Sequence, residues 1–290
     1  MAQTESGTVL VLGATGMLGH VVLRYFASRD EYRVLGSART PASVMRLPAA
    51  LHDRVIPGID VENVDMLAGL LAQTQPDVVI NCVGLIKQLA QVEDPLVALP
   101  INSLLPHRLA RLCALRGARL IHVSTDCVFA GSKGMYVEGD PSDAQDLYGR
   151  SKFLGEVDCP HAVTLRTSII GPELGTAHGL VGWFLAQQGS VKGYAKAIFS
   201  GLTTVELARV MYERVLPNAA LTGVYHVSVA PIDKCSLLRL VAEVYGKTIE
   251  IRPDSAVVID RSLDSSRFRS ATGYVPPAWP ALIAEMRKFG

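Results

Sequence analysis

Short runs of β-branched residues and leucine alternate, over the first half of the chain, with stretches whose apolar residues recur every three or four positions. Thr8–Leu12 is a short run of β-branched residues and leucine that stops at Gly13, as a strand buried on both faces reads. Residues 20–28 then predict a helix, 31–36 a second strand, 61–73 a helix and 77–81 a strand. Residues 99–116 carry leucines at helical spacing and predict a long helix with Pro100 in its first turn. A strand at 119–123, a glycine-rich loop at 130–141, a helix at 146–157 and a strand at 162–167 follow.

This alternation predicts βαβ units: an α/β fold with a doubly wound parallel sheet of the Rossmann kind, covered on both faces. After Ser168 the pattern loosens. Helices are expected at 203–215, 236–245 and 280–289 and a strand at 224–229, with no clean linker between them. The expected division is therefore interleaved. Residues 1–168 and 203–231 form a dinucleotide-binding domain, and 169–202 and 232–290 a smaller substrate-binding domain.

Composition narrows the class. The 290 residues are 49% hydrophobic and 19% charged, enough for a sizeable core and against general disorder. Lys plus Arg is 28 and Asp plus Glu 27, so no basic excess points to nucleic acid. The five cysteines have no C-x-x-C spacing, which fits a reducing compartment. The uncharged stretches 6–23 and 174–191 are broken by glycine and polar residues, so neither membrane span nor signal peptide is expected. A cytoplasmic protein is the expectation. His20, His107, His122 and His178 have no mutual spacing of metal ligands, and no metal is expected.

Gly13, Gly16 and Gly19 form G-x-x-G-x-x-G between the first strand and the first helix. A dinucleotide pyrophosphate needs such a turn, with close backbone approach and free N–H groups at a helix N-terminus. A tightly packed strand–helix turn without ligand would leave the same glycines. The second strand ends in Gly36-Ser37-Ala38-Arg39, without the acid that would bind a ribose 2′-hydroxyl. Arg39 suits a 2′-phosphate, so NADPH is favoured over NADH. Asp60 and Val61 either border the adenine or make a turn in which Asp60 caps a helix.

Tyr148 and Lys152 form Y-x-x-x-K, which places both on one helix face. An ammonium beside a phenol would lower its pKa and suit it to proton transfer at a carbonyl. Ser124, Thr125 and Asp126 end the preceding strand, where ligands bind in parallel sheets.

These segments, together with Ile80-Asn81-Cys82-Val83-Gly84, Glu93-Asp94-Pro95, the run from Ser124 to Gly131 and Leu165-Arg166-Thr167-Ser168, resemble a known family. It is that of the extended short-chain dehydrogenase/reductases, and within it the dTDP-4-dehydrorhamnose reductase-like nucleotide-sugar reductases. The resemblance implies that NADPH reduces the 4-keto group of a nucleoside-diphosphate 6-deoxy sugar, in surface polysaccharide or deoxysugar biosynthesis. It implies Tyr148 as proton donor, Thr125 as a hydrogen-bond partner of the same oxygen and Lys152 as holder of the ribose. Gly13, Thr15, Gly16, Met17, Leu18, Ser37, Arg39, Asp60, Val61, Cys82, Val83, Gly84 and Asn102 would serve the cofactor, and Asp126 and Trp183 the substrate. The partner is a nucleotide sugar, with a homodimer left open.

Three positions depart from that family. Cys127 replaces its usual tyrosine, and the acid of the 4,6-dehydratases is absent there too. Leu85-Ile86-Lys87 replaces a polar stretch, and Ile169 stands where an aromatic residue commonly meets the sugar. Lys87 or the Arg267-Phe268-Arg269 run could meet a diphosphate; a solvated lysine and a basic helix edge are the plain readings. Two alternatives remain open: an epimerase or dehydratase with tightly held NAD, and a cofactor-binding regulatory subunit without chemistry of its own.

Overall fold

The computed structural model describes residues 7–87 and 90–290; Ser6, which begins the first uncharged stretch, lies outside them. Twelve strands are described, β1 (Thr8–Leu12), β2 (Arg33–Ser37), β3 (Val55–Ile56), β4 (Val78–Asn81), β5 (Arg119–Thr125), β6 (Ala162–Thr167), β7 (Ile169–Ile170), β8 (Ser190–Phe199), β9 (Leu202–Thr203), β10 (Gly223–His226), β11 (Ile232–Asp233) and β12 (Glu250–Asp260). Seven of them form an all-parallel sheet in the order β10-β6-β5-β4-β1-β2-β3. The order reverses between β1 and β4, where the chain leaves Leu12 and Asn81 as register partners. In such sheets ligands bind in the crevice beyond that point.

Both sheet faces are covered, as the unbroken apolar strands require. Alternate residues of β1 divide between two cores: Val9 and Val11 pack with the helices Gly19–Ala27 and Thr204–Val210, Leu10 and Leu12 with Val64–Thr74 and Leu105–Arg116. The long helix predicted at 99–116 begins earlier, at Pro95, capped by the Asp94 side chain. Around Pro100, which has no N–H to donate, it widens to i→i+5 bonding over Leu99–Leu104.

The cap expected of Asp60 falls to Asn63, whose Oδ1 accepts from the N–H groups of Asp65 and Met66; Asp60 instead turns the chain by accepting from Glu62. The long strands β8 and β12, the two-residue strands β3, β7, β9 and β11, and the helices Leu180–Ala186 and Ser266–Thr272 lie outside the elements expected from the sequence. β12 carries Pro253 and pairs only with β8, so the missing N–H falls on an edge.

We retain the interleaved division as a proposal. β10 adds to the large sheet and β8, β11 and β12 form a small one. The last helix, Trp279–Phe289, crosses back: the Phe289 carbonyl accepts from Arg24 at 2.8 Å, and Leu282, Ile283 and Met286 join the core of the first helix.

Candidate active site

The carboxyl ends of β1, β4 and β5 open onto a cavity of about 590 Å³, and β1 and β2 onto an adjoining one of about 260 Å³. Thr15, Gly16, Cys82, Val83 and Gly84 line both, so the glycine turn stands between them. Gly13 has φ +74°, a conformation that favours glycine. Gly19 lies so close to it that a Cβ there would sit 2.0 Å from the Gly13 carbonyl oxygen. The turn is thus fixed by two backbones in contact.

Met17 and Leu18 line the larger cavity, and Gly13, Ser37, Arg39, Asp60 and Val61 the smaller. Arg39 is exposed and has no carboxylate within 4.0 Å among the described residues. Asn102 lines neither. Its side chain is spent behind the wall: Oδ1 accepts from Leu85 N at 2.9 Å and Nδ2 donates to Ser151 Oγ at 3.2 Å. It positions the loop after β4 against the Tyr148 helix.

That helix, Leu147–Leu154, is capped by Asp146, whose Oδ1 accepts from Gly149 N at 2.7 Å. Its first turn presents Tyr148 and its second Lys152, and both line the larger cavity with Thr125. Lys152 is buried, and its Nζ donates to the Val123 carbonyl at 2.9 Å. Gly149 lets the helix approach the end of β5, because a Cβ there would lie 2.2 Å from the Cys127 carbonyl oxygen.

The electrostatics differ from the sequence expectation. Crowding by protein pushes the Tyr148 phenol above its ordinary 10, with Cys127 adding to the rise and a Thr125 hydrogen bond opposing it. Desolvation and the groups at the end of β5 outweigh any effect of Lys152 on it. Burial instead pushes the Lys152 ammonium down to about 8, opposed by Glu156 one turn along. Desolvation outweighs the pair's mutual effect, so Tyr148 stands protonated at neutral pH. The Thr125 hydroxyl accepts from Cys127 N at 3.1 Å and donates to Asp126 Oδ1 at 3.1 Å. Burial raises the Asp126 carboxyl group.

Cys127 stands at the cavity wall, not in packed core, and burial pushes its thiol up to about 12, far from a reactive thiolate. Trp183 is outside the lining residues and exposed; on its helix Val181 and Phe184 face the core, which turns Trp183 away. Lys87 reaches the cavity but pairs with Asp146 at 2.5 Å. Arg267 covers the Tyr225 ring and Phe268 is core, so that run is a helix edge. Ile169 lines the cavity. So do Arg46, His178, Lys234 and Arg261, which no motif in the sequence marks. Their elements follow Ser168 or sit in loops; the alternation of buried Val191, Ala197 and Phe199 was the available signal for β8.

No helix among the described residues is long and apolar enough to cross a membrane. No group of three or more His, Cys, Asp or Glu among them is placed to hold a metal ion.

The chain is 34% identical over 178 residues to a probable low-salt glycan biosynthesis reductase, Agl14, of Haloferax volcanii, a match covering 60% of this chain and 57% of that protein. It is 30% identical over 234 residues to methionine adenosyltransferase 2 subunit beta of Danio rerio, covering 76% and 68%. It is also 30% identical over 237 residues to a dTDP-4-dehydrorhamnose reductase of Burkholderia thailandensis, covering 77% and 72%. The crystal structure of dTDP-4-dehydrorhamnose reductase from Bacillus anthracis in complex with NADP has the same fold, with a TM-score of 0.81 at 20% identity and 99% of each chain covered. Residues 7–286 match the RmlD substrate binding domain, and the chain belongs to that family.

Proposed function

We propose that this protein uses NADPH to reduce the 4-keto group of a nucleoside-diphosphate 6-deoxy sugar, in surface polysaccharide or deoxysugar biosynthesis. The observation that carries the reading is the cavity itself: a protonated phenol, a hydroxyl and a buried ammonium line one space with the glycine turn. Reductases among the relatives support it.

The residues present fit a dinucleotide. Two touching backbones form the bend at Gly13 and Gly19, and a second cavity adjoins it on the Arg39 side. Gly13, Thr15, Gly16, Met17 and Leu18 would hold the pyrophosphate, Ser37 and Arg39 the 2′-phosphorylated ribose, and Asp60 and Val61 the adenine. Cys82, Val83, Gly84 and Lys152 would hold the nicotinamide riboside. When bound, NADPH supplies the hydride.

The chain's own residues do the rest. Tyr148 donates its proton to the carbonyl oxygen as that oxygen gains charge. Thr125 turns its hydroxyl from Asp126 to the same oxygen and stabilises the developing alkoxide. Lys152, still an ammonium below about pH 8, stabilises the phenolate left on Tyr148. Cys127 takes the place of the carboxylic acid that the 4,6-dehydratases have there, so Asp126 is the one acid of that pair left beside Tyr148.

Similarity to a methionine adenosyltransferase subunit favours one other reading, a binding subunit. A pure binder needs no proton donor at the cavity, and the Tyr148–Lys152 pair is intact. Mass-spectrometric screening of 4-keto nucleotide sugars with NADPH, and separately with NADH, tests the choice. A reduced sugar that disappears with Tyr148→Phe supports reduction. An epimerised or dehydrated product without net NADPH consumption, or no product at all, overturns it. We place the reaction in the cytoplasm, where such substrates and a reducing poise coincide; a homodimer is compatible with it.

A further inference from the structure

Residues 171–179 form part of the wall of the larger cavity beside the glycine turn, and the reaction above gives them no task. Glu173, Leu174, Thr176, His178 and Gly179 line that cavity, and none of them lines the smaller one. Thr15 and Gly16 line both, so a dinucleotide passes from one cavity to the other at that bend. Met17, the next residue, touches the segment: a Cβ built on Gly179 would lie 2.5 Å from Met17 Cε. Arg46, which also lines the larger cavity, touches it too. Its Nη1 donates to the Leu174 carbonyl at 3.3 Å, and a Cβ on Gly175 would lie 3.5 Å from Arg46 Cδ. Arg46 comes after β2, and the segment leaves β6 through β7. In the large sheet β5, β4 and β1 lie between β6 and β2, so the segment spans their carboxyl ends to reach Arg46.

The two sides of this contact are unequally anchored. Arg46 follows the helix Pro41–Val44, which Thr40 caps, and Val44 and Leu47 on either side of it are buried in the core. The segment is held at its ends, where Gly171 and Gly179 are buried and the Gly179 N–H donates to Glu173 Oε2 at 2.9 Å. Between them residues 175–178 are exposed. Among the described residues, the one hydrogen bond that residues 172–178 make outside the segment is the one from Arg46. An exposed stretch with so few ties opens locally at low cost. The Arg46 guanidinium has no carboxylate oxygen within 4.0 Å among the described residues. Its fork of N–H donors can therefore hold a carbonyl oxygen and a phosphate oxygen at once.

We propose that residues 171–179 are a strap over the cofactor cleft and that Arg46 latches it. With a dinucleotide bound, the guanidinium holds the Leu174 carbonyl and a phosphate oxygen together, and the cofactor leaves only when the strap lets go. Bound cofactor favours the closed strap, and the closed strap slows cofactor release; the two effects are one coupling read from either side. The proposal rests on the cofactor reading above and on no part of the sugar reading, and its test needs no turnover.

Release is timed by mixing NADPH-loaded protein with excess NADP and following the loss of bound-NADPH fluorescence by stopped flow. Arg46→Ala and Arg46→Gln should each release NADPH about fivefold faster or more, as the loss of a charge-assisted contact implies, with Tm unaltered because Arg46 is exposed. Strap opening is read separately with Glu-C protease, which cuts after Glu173, the cut being identified by peptide mass. In the unaltered protein NADP should slow that cut about fivefold or more, and in Arg46→Ala saturating NADP should protect far less. Arg46→Lys, which keeps the charge without the fork, should recover NADPH affinity more than protection of the strap. Unchanged release in both charge-removing variants, or a cut that NADP leaves unslowed in the unaltered protein, overturns the latch. Faster release with protection intact also overturns it, since Arg46 is then a phosphate ligand only. A protein that binds no NADPH overturns the cofactor reading and the strap together. If the sugar screen yields no reduction while release and cleavage behave as described, the reaction falls and the strap stands.

Discussion

The carbonyl oxygen of Asn102 lies where a side chain on Gly155 would begin: a Cβ built there is 1.9 Å from it. The widened helix around Pro100 and the helix bearing Tyr148 and Lys152 therefore touch backbone to backbone. Asn102 Nδ2 and Ser103 Oγ each add a side-chain hydrogen bond across the same junction, to Ser151. The geometry of the proton donor is set by this contact as much as by its own helix.

Gly155→Ala should force that junction apart. A loss of about 1–3 kcal/mol in urea unfolding is expected, with a larger fall in kcat than in NADPH affinity. Gly139→Ala, where nothing lies within 4 Å, is the control and should leave both unchanged. Equal behaviour of the two variants would refute the argument.

The pH profile should follow Lys152. Its ammonium titrates near 8 in the folded chain against 10.5 unperturbed, so kcat/KM for reduction should fall through a single ionisation near pH 8. The effect on stability has the opposite sign. Folding disfavours the charged form, so the cost is complete below pH 8 and is relieved as pH rises from 8 to 10.5. A basic limb above pH 10 would show that Lys152 is not the group responsible.

Glu156 and Arg166 form a buried pair with two contacts of 2.6 Å, extended by Ser124 Oγ on the carboxylate and His226 Nε2 on the guanidinium. Glu156→Ala leaves an uncompensated buried cation. The variant should lose about 3–5 kcal/mol, read as a lowered Tm and denaturation midpoint. A loss below 1 kcal/mol would mean that water reaches Arg166.

Arg39 should set the cofactor preference. A charge-assisted hydrogen bond contributes about 1.5–3 kcal/mol, so Arg39→Ala should raise KM for NADPH about tenfold or more and leave KM for NADH nearly unchanged. Parallel changes for both cofactors would show that Arg39 does not meet a 2′-phosphate.

Most of the large sheet is written in local sequence. Strands buried on both faces, such as Thr8–Leu12 and Ala162–Thr167, are rich in β-branched residues and leucine, with a charge such as Arg166 admitted only beside a buried partner, and that signature survives without any neighbour in view. Gly13, Gly19, Tyr148 and Lys152 were legible for a similar reason: their spacing is local, and a turn or a helical repeat fixes it. What faces them is set by long-range packing. Lys234 and Arg261 reach the cavity through β8 and β12, whose pairing joins segments some 60 residues apart, with a shift in register between Asp254 and Val258. Trp183 was turned outward by the core that took Phe184, and Asn102 was drawn behind the wall by Leu85 and Ser151. The desolvation that keeps Tyr148 protonated and lowers Lys152 is likewise a property of packing, since an i,i+4 spacing carries no information about how much water the fold removes.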